Sequence, residues 1–272
     1  MKTTFLSGLV AASATLVSLI ASTAPAAAFT WNNSWTQPQI YNKSQTGFND
    51  NPFQKFVQSE RISIPNSGQF QLDPAKLKLK YAHDVSVYFI NEGAAYRNQL
   101  AYQASGVNNS SGLVFRDVSS PESILSNSDG PLKKGDGVKL GNFLAGTQLD
   151  FWLRADGLNR GNNANIFGTQ TAFNADGLQH TVAYAFDKYL MIGFEDLYGG
   201  LNASGGKNEH SDRDFNDAVF VVDVGEANVK HLTSVPEPSM TLAFLGLSTA
   251  SAFGLRRRRR SETNRQESSP LA

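Results

Sequence analysis

The chain has 272 residues, with 24 Lys and Arg against 24 Asp and Glu, and no cysteine, so neither a disulfide framework nor a thiolate metal site is available to it. The balanced charge hides a division: residues 29–234 hold 17 basic and 21 acidic residues, and the two ends carry the compensating positive excess. That central part has no basic patch for nucleic acid, and at about 200 residues with 11% aromatics overall it predicts a globular domain that buries its own core rather than a disordered stalk.

In chain order, residues 1–28 predict a signal peptide. Lys2 is a brief basic region, Phe5 to Ile20 is apolar, and Ala26-Ala27-Ala28 supplies the small-residue cleavage site, with Ala26 and Ala28 at its key positions. A first membrane helix is the alternative, but the run is short and ends in small residues. Residues 29–76 are rich in Asn, Gln, Ser and aromatics without a clear period. They read as an irregular lead-in that packs Trp31, Trp35, Tyr41, Phe48, Phe53 and Phe56 on the body, with a short helix near Phe53 to Ser59.

From residue 77 to 230 the pattern has period two, the mark of half-buried strands. Leu77, Leu79 and Tyr81 alternate with lysines, and Val85, Val87 and Phe89 follow. Val138 and Leu140, then Leu149, Phe151 and Leu153, then the runs 181–186, 189–194 and 218–224 complete the set. Clusters such as Lys134-Gly135-Asp136-Gly137 and Asn159-Arg160-Gly161-Asn162-Asn163 separate them as turns. Many short strands with Gly/Asn turns and no long helical stripe predict an all-β body, a β-sandwich or jelly-roll.

The densest chemistry lies in two segments that flank a glycine-rich insert. The first contains Glu195 and Asp196, the second Asp212, Arg213, Asp214, Asn216 and Asp217. If strands run into Phe194 and out of Ala218 as a hairpin, these groups meet at the loop base. Two carboxylates about 4 Å apart repel by roughly 4 kcal/mol at an effective dielectric near 20. Five converging carboxylates therefore call for a cation, and a hard one with flexible oxygen coordination, Ca²⁺, suits Asp, Glu and Asn. Glu195, Asp196, Asp212, Asp214, Asn216 and Asp217 are the candidate ligands. The spacing is not that of an EF-hand, because Asp217 stands where that loop needs Gly. Two alternatives remain open: Asx-turns with Arg213 paired to a carboxylate, and a catalytic carboxylate pair.

Elsewhere the signals are plain. His83, His180, His210 and His231 share no metal-ligand spacing. His180 reads as a hydrogen-bonded structural residue before a strand, and Glu92 with Arg97 as a salt bridge or loop clamp. Trp31, Trp35, Tyr96 and Tyr102 fill the sandwich or its rim, or else offer flat faces to sugar rings.

Residues 231–260 form the last informative unit. Val235, Pro236, Glu237, Pro238 and Ser239 precede an apolar stretch from Met240 to Leu255, and Arg256, Arg257, Arg258, Arg259 and Arg260 follow it. Sixteen residues make a helix of roughly 24 Å, short of the roughly 30 Å bilayer core, so the segment is a marginal transmembrane helix whose arginines snorkel. The arginine run stays cytoplasmic by the positive-inside rule, and residues 261–272 form a disordered cytoplasmic tail. The motif, span and basic cluster, in that order, resemble the PEP-CTERM sorting tail. That resemblance implies recognition by exosortase, transient anchoring in the inner membrane, and release to the cell surface. A plain C-terminal anchor is the alternative.

A second resemblance covers the body. Phe194-Glu195-Asp196-Leu197 with Asp212-Arg213-Asp214-Phe215-Asn216-Asp217-Ala218-Val219-Phe220 resembles the domain of unknown function 4114, and the block Phe89 to Leu100 resembles a further signature of exported proteins of this kind. Together they imply a β-rich surface domain and supply no activity. The combined expectation is an exported, non-enzymatic component of the surface or extracellular matrix that carries Ca²⁺. A carbohydrate-binding module of an exopolysaccharide matrix is the alternative, and a carboxylate-dependent hydrolase is the third reading.

Overall fold

The computed structural model describes residues 29–57, 64, 69–126, 128–201 and 208–234. The expected signal peptide, most of the glycine-rich insert, the apolar span and the arginine run lie outside the described residues. Among the described residues, no helix is long and apolar enough to cross a membrane.

Among the described residues, ten strands form two antiparallel sheets. They are β1 (Phe70–Leu72), β2 (His83–Asn91), β3 (Gln99–Ser105), β4 (Ser110–Phe115), β5 (Gly137–Phe143), β6 (Gln148–Arg154), β7 (Ile166–Gly168), β8 (Thr181–Phe186), β9 (Tyr189–Phe194) and β10 (Ala218–Asp223). One sheet has the order β1-β8-β9-β10-β2-β5 and the other β4-β3-β6-β7. The alternating residues of β2 (Val85, Val87, Phe89), β9 (Leu190, Ile192, Phe194) and β10 (Ala218, Phe220, Val222) share one core with Leu100, Phe115, Phe151 and Leu153 of the smaller sheet. The all-β sandwich expected from the alternation is therefore present.

The second face of the larger sheet is not left to water. Met191, Val219, Val221, Val182 and Tyr184 are buried there with Phe48, Phe53 and Val57 of the lead-in. This is why the runs 189–194 and 218–224 are apolar at almost every position: a strand buried on both faces loses its polar alternation. Phe48 stacks on Tyr88 with ring centroids 4.1 Å apart, and Phe53 meets Phe186 at 4.7 Å. The lead-in does pack aromatics on the body, as expected. Its helices are one turn each, Lys43–Thr46 and Asn51–Gln54, the second starting just ahead of the expected Phe53.

Two details differ from the sequence-based reading. Residues 77–81 make only an isolated bridge, Lys78 to Gln148, instead of a strand. Leu77 and Leu79 are buried, but Tyr81 is 51% exposed. The backbone N–H groups of Lys80 and Tyr81 donate to Asn228 Oδ1 at 2.8 and 2.9 Å, so a side chain takes the donors that a ladder would use. Asn228 belongs to a helix, Glu226–Ser234, that runs past residue 230 and buries Val229 in the main core.

The outer cover gives a direct test. Phe53→Ala is expected to cost about 3–5 kcal/mol in denaturant unfolding, as for a filled aromatic site, whereas Phe70→Ala, 54% exposed on edge strand β1, should stay within about 0.5 kcal/mol. Equal effects would mean that the lead-in does not seal the sheet.

Candidate functional site: an acidic loop base at the end of two core strands

β9 and β10 pair antiparallel with Ala218 opposite Phe194, so the residues just beyond them face each other across a hairpin base. The expected convergence of the two acidic segments follows from this register. Glu195 N donates to the His180 carbonyl at 3.0 Å, which continues the ladder toward β8 by one residue. Glu195 keeps the side-chain parity of Gly193, and Asp196 that of Phe194.

The returning segment folds back over β9. Gly193 makes this possible: a Cβ at that position would stand 2.4 Å from the Phe215 carbonyl oxygen. Arg213 and Phe215 have φ of +60° and +63°, in the left-handed region that bulky residues avoid. The alternation 212, 214, 216 is set between them. Each such residue costs on the order of 1–3 kcal/mol and persists only where its surroundings over-determine it. Here the Asp214 carbonyl accepts from Ile64 N and the Asn216 carbonyl from Gly93 N, each at 3.0 Å.

The six expected ligands divide into two groups. Glu195, Asp212 and Asp214 each present a carboxylate oxygen within 4.8 Å of the others. Asn216 joins them: its N and Nδ2 donate to Asp214 at 3.0 and 2.6 Å. Asp196 and Asp217 form the second group, where Asp196 N donates to Asp217 Oδ2 at 2.7 Å and Asn98 Nδ2 donates to Asp196 Oδ2 at 2.6 Å. This pair lines a cleft of about 580 Å³ together with Gly93, Tyr96, Ser211 and Asp212.

Glu195 is the anomaly. It is 0% exposed, and neither Oε1 nor Oε2 has a hydrogen-bond partner. Asn216 Oδ1 is also buried without a donor. Burial pushes the Glu195 carboxyl from the ordinary 4.5 up to about 7, and the charges of Asp212 and Asp214 push the same way. Ser211 and Arg213 pull against this, but the Ser211 hydroxyl lies near the carboxylate without hydrogen-bond geometry. Asp196 rises to about 8, first through burial and then through the nearby Glu195, Glu209 and Glu92, while the Asn98 bond opposes. Asp217 is raised by burial and by Asp196 and Glu195.

The turn-based alternative is partly realised. Asp214 caps Asn216 N, and Asp212 Oδ1 lies 3.4 Å from Asp214 N, as in Asx-turns. Its other half is not seen: among the described residues Arg213 makes no ion pair with a carboxylate. Its Nη2 donates to the Gln179 carbonyl, its guanidinium lies 4.9 Å from the centre of the Phe215 ring, and its Nη1 is buried without a partner. Its guanidinium acts on Glu195 through charge alone, without a hydrogen bond.

Several supporting residues were not read as part of the site. His180 is buried, stacked on Phe167 at 3.7 Å, with Nδ1 2.9 Å from the Glu195 carbonyl oxygen and Nε2 2.8 Å from Asp176 Oδ2. It fixes the Glu195 backbone, the structural role expected of it. Asn98 and Gly93 belong to the β2–β3 loop, inside the block Phe89 to Leu100, and tie that loop to the acidic one. Glu92 and Arg97 do not pair with each other. Glu92 accepts from Ala94 N and Ser120 N as a loop clamp, and Arg97 pairs with Asp117. No sequence signal short of the paired signature joins residues 98 and 196.

In metal-free protein the raised carboxyls fix a sign. Their protonated forms favour the folded state fully below the ordinary 4.5 and 3.8, and that contribution is lost as pH rises through about 7 and about 8. Thermal midpoints in EDTA should therefore fall from about pH 5 to about pH 8, and Glu195→Gln should flatten the slope. A midpoint that climbs over this window would mean that protein cations already compensate the cluster.

Comparison with known proteins agrees with these landmarks. Residues 143–225 match the family model of a domain of unknown function (DUF4114), a span from the last residue of β5 to just past β10 that takes in both acidic segments. The block Phe89 to Leu100 lies outside it. Residues 234–260 match the PEP-CTERM protein-sorting motif, which includes Val235 to Pro238 and Arg256 to Arg260. No curated protein and no solved structure matches the chain. The chain is thus similar to this family of unknown function over residues 143–225 and carries, after it, the PEP-CTERM motif that implies recognition by exosortase and export toward the cell surface.

Proposed function

We propose that this is a non-enzymatic protein of the cell surface or extracellular matrix, processed at both ends, whose acidic loop base holds a structural Ca²⁺. The observation that carries the metal reading is Glu195: a fully buried carboxyl group with two unpartnered oxygens, facing Asp212 and Asp214. A buried carboxylate is stable only when paired or coordinated. The adjoining arginine makes no ion pair with it among the described residues, so the carboxyl either holds a proton or meets a bound cation, and the crowding of three carboxylates favours the cation near neutral pH. Ca²⁺ accepts six to eight oxygens in flexible geometry. Glu195, Asp212, Asp214 and the free Asn216 Oδ1 supply carboxylate and amide oxygens of that type, and the strained Arg213 and Phe215 hold the alternate residues in place. Such an ion closes the loop on the two central core strands and stiffens the domain outside the cell.

Coordination suits these carboxylates better than catalysis does. A proton-transfer pair needs groups tuned apart and open to substrate, and Glu195 is sealed. Asp196 and Asp217 do line a cleft, but the amide of Asn98 and the backbone of Asp196 each hold one of their oxygens.

Three outcomes test the proposal. Millimolar Ca²⁺ should raise the thermal midpoint and EDTA should reverse it, with stabilisation of about 2.7 kcal/mol at a hundred times Kd. An Asp212→Ala/Asp214→Ala variant that still folds should lose the response; an equal shift in that variant, or none in the wild type, would exclude the site. Intact mass of the surface-recovered protein should lack residues 1–28 and Arg256 to Arg260, and retention of the arginine run would contradict sorting by cleavage. The purified protein should release no sugar from polysaccharides; release that disappears in Glu195→Gln or Asp214→Asn would make it a hydrolase.

A further inference from the structure

Away from the acidic loop, the end of β6 holds a charge of the opposite sign. Arg154 is 4% exposed. Its Nη1 donates to Asn33 Oδ1 at 2.9 Å and to Gln99 Oε1 at 3.4 Å, and its Nη2 donates to Asn162 Oδ1 at 3.0 Å. All three acceptors are neutral amides, and Nε is buried with no partner. No carboxylate pairs with Arg154 among the described residues, and burial, with nothing opposing it, lowers its pKa. A buried guanidinium normally finds an anion, because leaving it unpaired is costly.

The surroundings form a built site. Trp31 lies over the guanidinium with its ring centre 5.3 Å away, and Trp35 meets Trp31 edge-on at 5.7 Å. Gly157 brings the next turn directly onto Arg154: a Cβ there would stand 2.7 Å from Gln99 Oε1 and 2.8 Å from Arg154 Cγ. The resulting cleft of about 210 Å³ is lined by both tryptophans, Asn33, Gln99, Arg154 and the exposed Arg116, and no Asp or Glu lines it.

Two arginines in a cleft with no acidic residue in its lining select an anion, and a planar guanidinium matches a planar carboxylate. Half-exposed indoles beside amide side chains add an apolar surface with hydrogen-bonding groups at its rim, which fits a sugar ring and its hydroxyls. We infer that this cleft binds an acidic saccharide, a uronate unit whose carboxylate is held by Arg116 and Arg154 and whose ring lies against the tryptophans. The inference uses the exported setting of the proposed function only for where such polymers are met, and it does not depend on Ca²⁺.

The test is a titration of the full-length protein in EDTA with an oligogalacturonate, its carboxyl-reduced neutral counterpart, and acetate, followed by calorimetry and tryptophan fluorescence. The oligogalacturonate should bind about tenfold or more tightly than the neutral sugar, and increasingly weakly as salt rises. Trp35→Ala and Arg116→Ala, checked by unchanged melting, should each weaken it several-fold, while Phe70→Ala, exposed on β1 and outside the cleft lining, binds as the wild type does. Equal affinity for the acidic and neutral sugars would overturn the inference, as would no binding, acetate binding as tightly as the oligosaccharide, or affinity unchanged in both cleft variants.

Discussion

The fold takes the carboxyl group of Glu195 out of water and gives it no donor. Everything near it bears on that fact. The position is set by two deeply buried strands, β9 and β10, and His180, held by Asp176, contacts its carbonyl. The one arginine of the loop turns its guanidinium toward Gln179 and Phe215. A charge so placed must either bind a proton or bind a cation. The strand pairing that creates the crowding cannot relax without opening the core, so on the proposed reading the loop base trades a proton for Ca²⁺.

The lead-in is coupled to this arrangement. Phe48, Phe53 and Val57 cover the outer face of β9 and β10, and Ile64 lies against Gly193 and donates its backbone N–H to Asp214. The segment read as irregular thus seals the sheet that carries the acidic loop and also braces the loop itself. At its start, Trp31 and Asn33 complete the Arg154 cleft. One stretch of aromatic and amide residues serves both sites, which ties their integrity to the same packing.

Much of the sandwich was legible because period two is a direct image of a strand with one dry face: residues 85–89, 149–153, 181–186, 189–194 and 218–223 all lie in strands. β3 and β4 were not read. Ala101 and Ala104 carry too little apolar contrast, and the pairing of β3 with β4 shifts register between Leu100 and Ala101. Residues 77–81 misled for the opposite reason, since good alternation was overridden by the Asn228 side chain. In the site, the meeting of the two acidic segments followed from the hairpin, but its internal partition did not. Separation of Glu195 from Asp196 depends on side-chain parity and on a fold-back that only Gly193 permits. The Asn98–Asp196 contact spans 98 residues, and Arg154 looks in sequence like any polar residue ending a strand.

The central claim is that a cation compensates Glu195, and the most direct measurement is a crystal structure grown in Ca²⁺ with anomalous data. The account predicts one anomalous peak with oxygens of Glu195, Asp212 and Asp214 at about 2.3–2.6 Å, and the Asn216 amide oxygen turned toward it. A Glu195 carboxyl bonded instead to a protein donor or an ordered water, with no peak at the loop base, would contradict it.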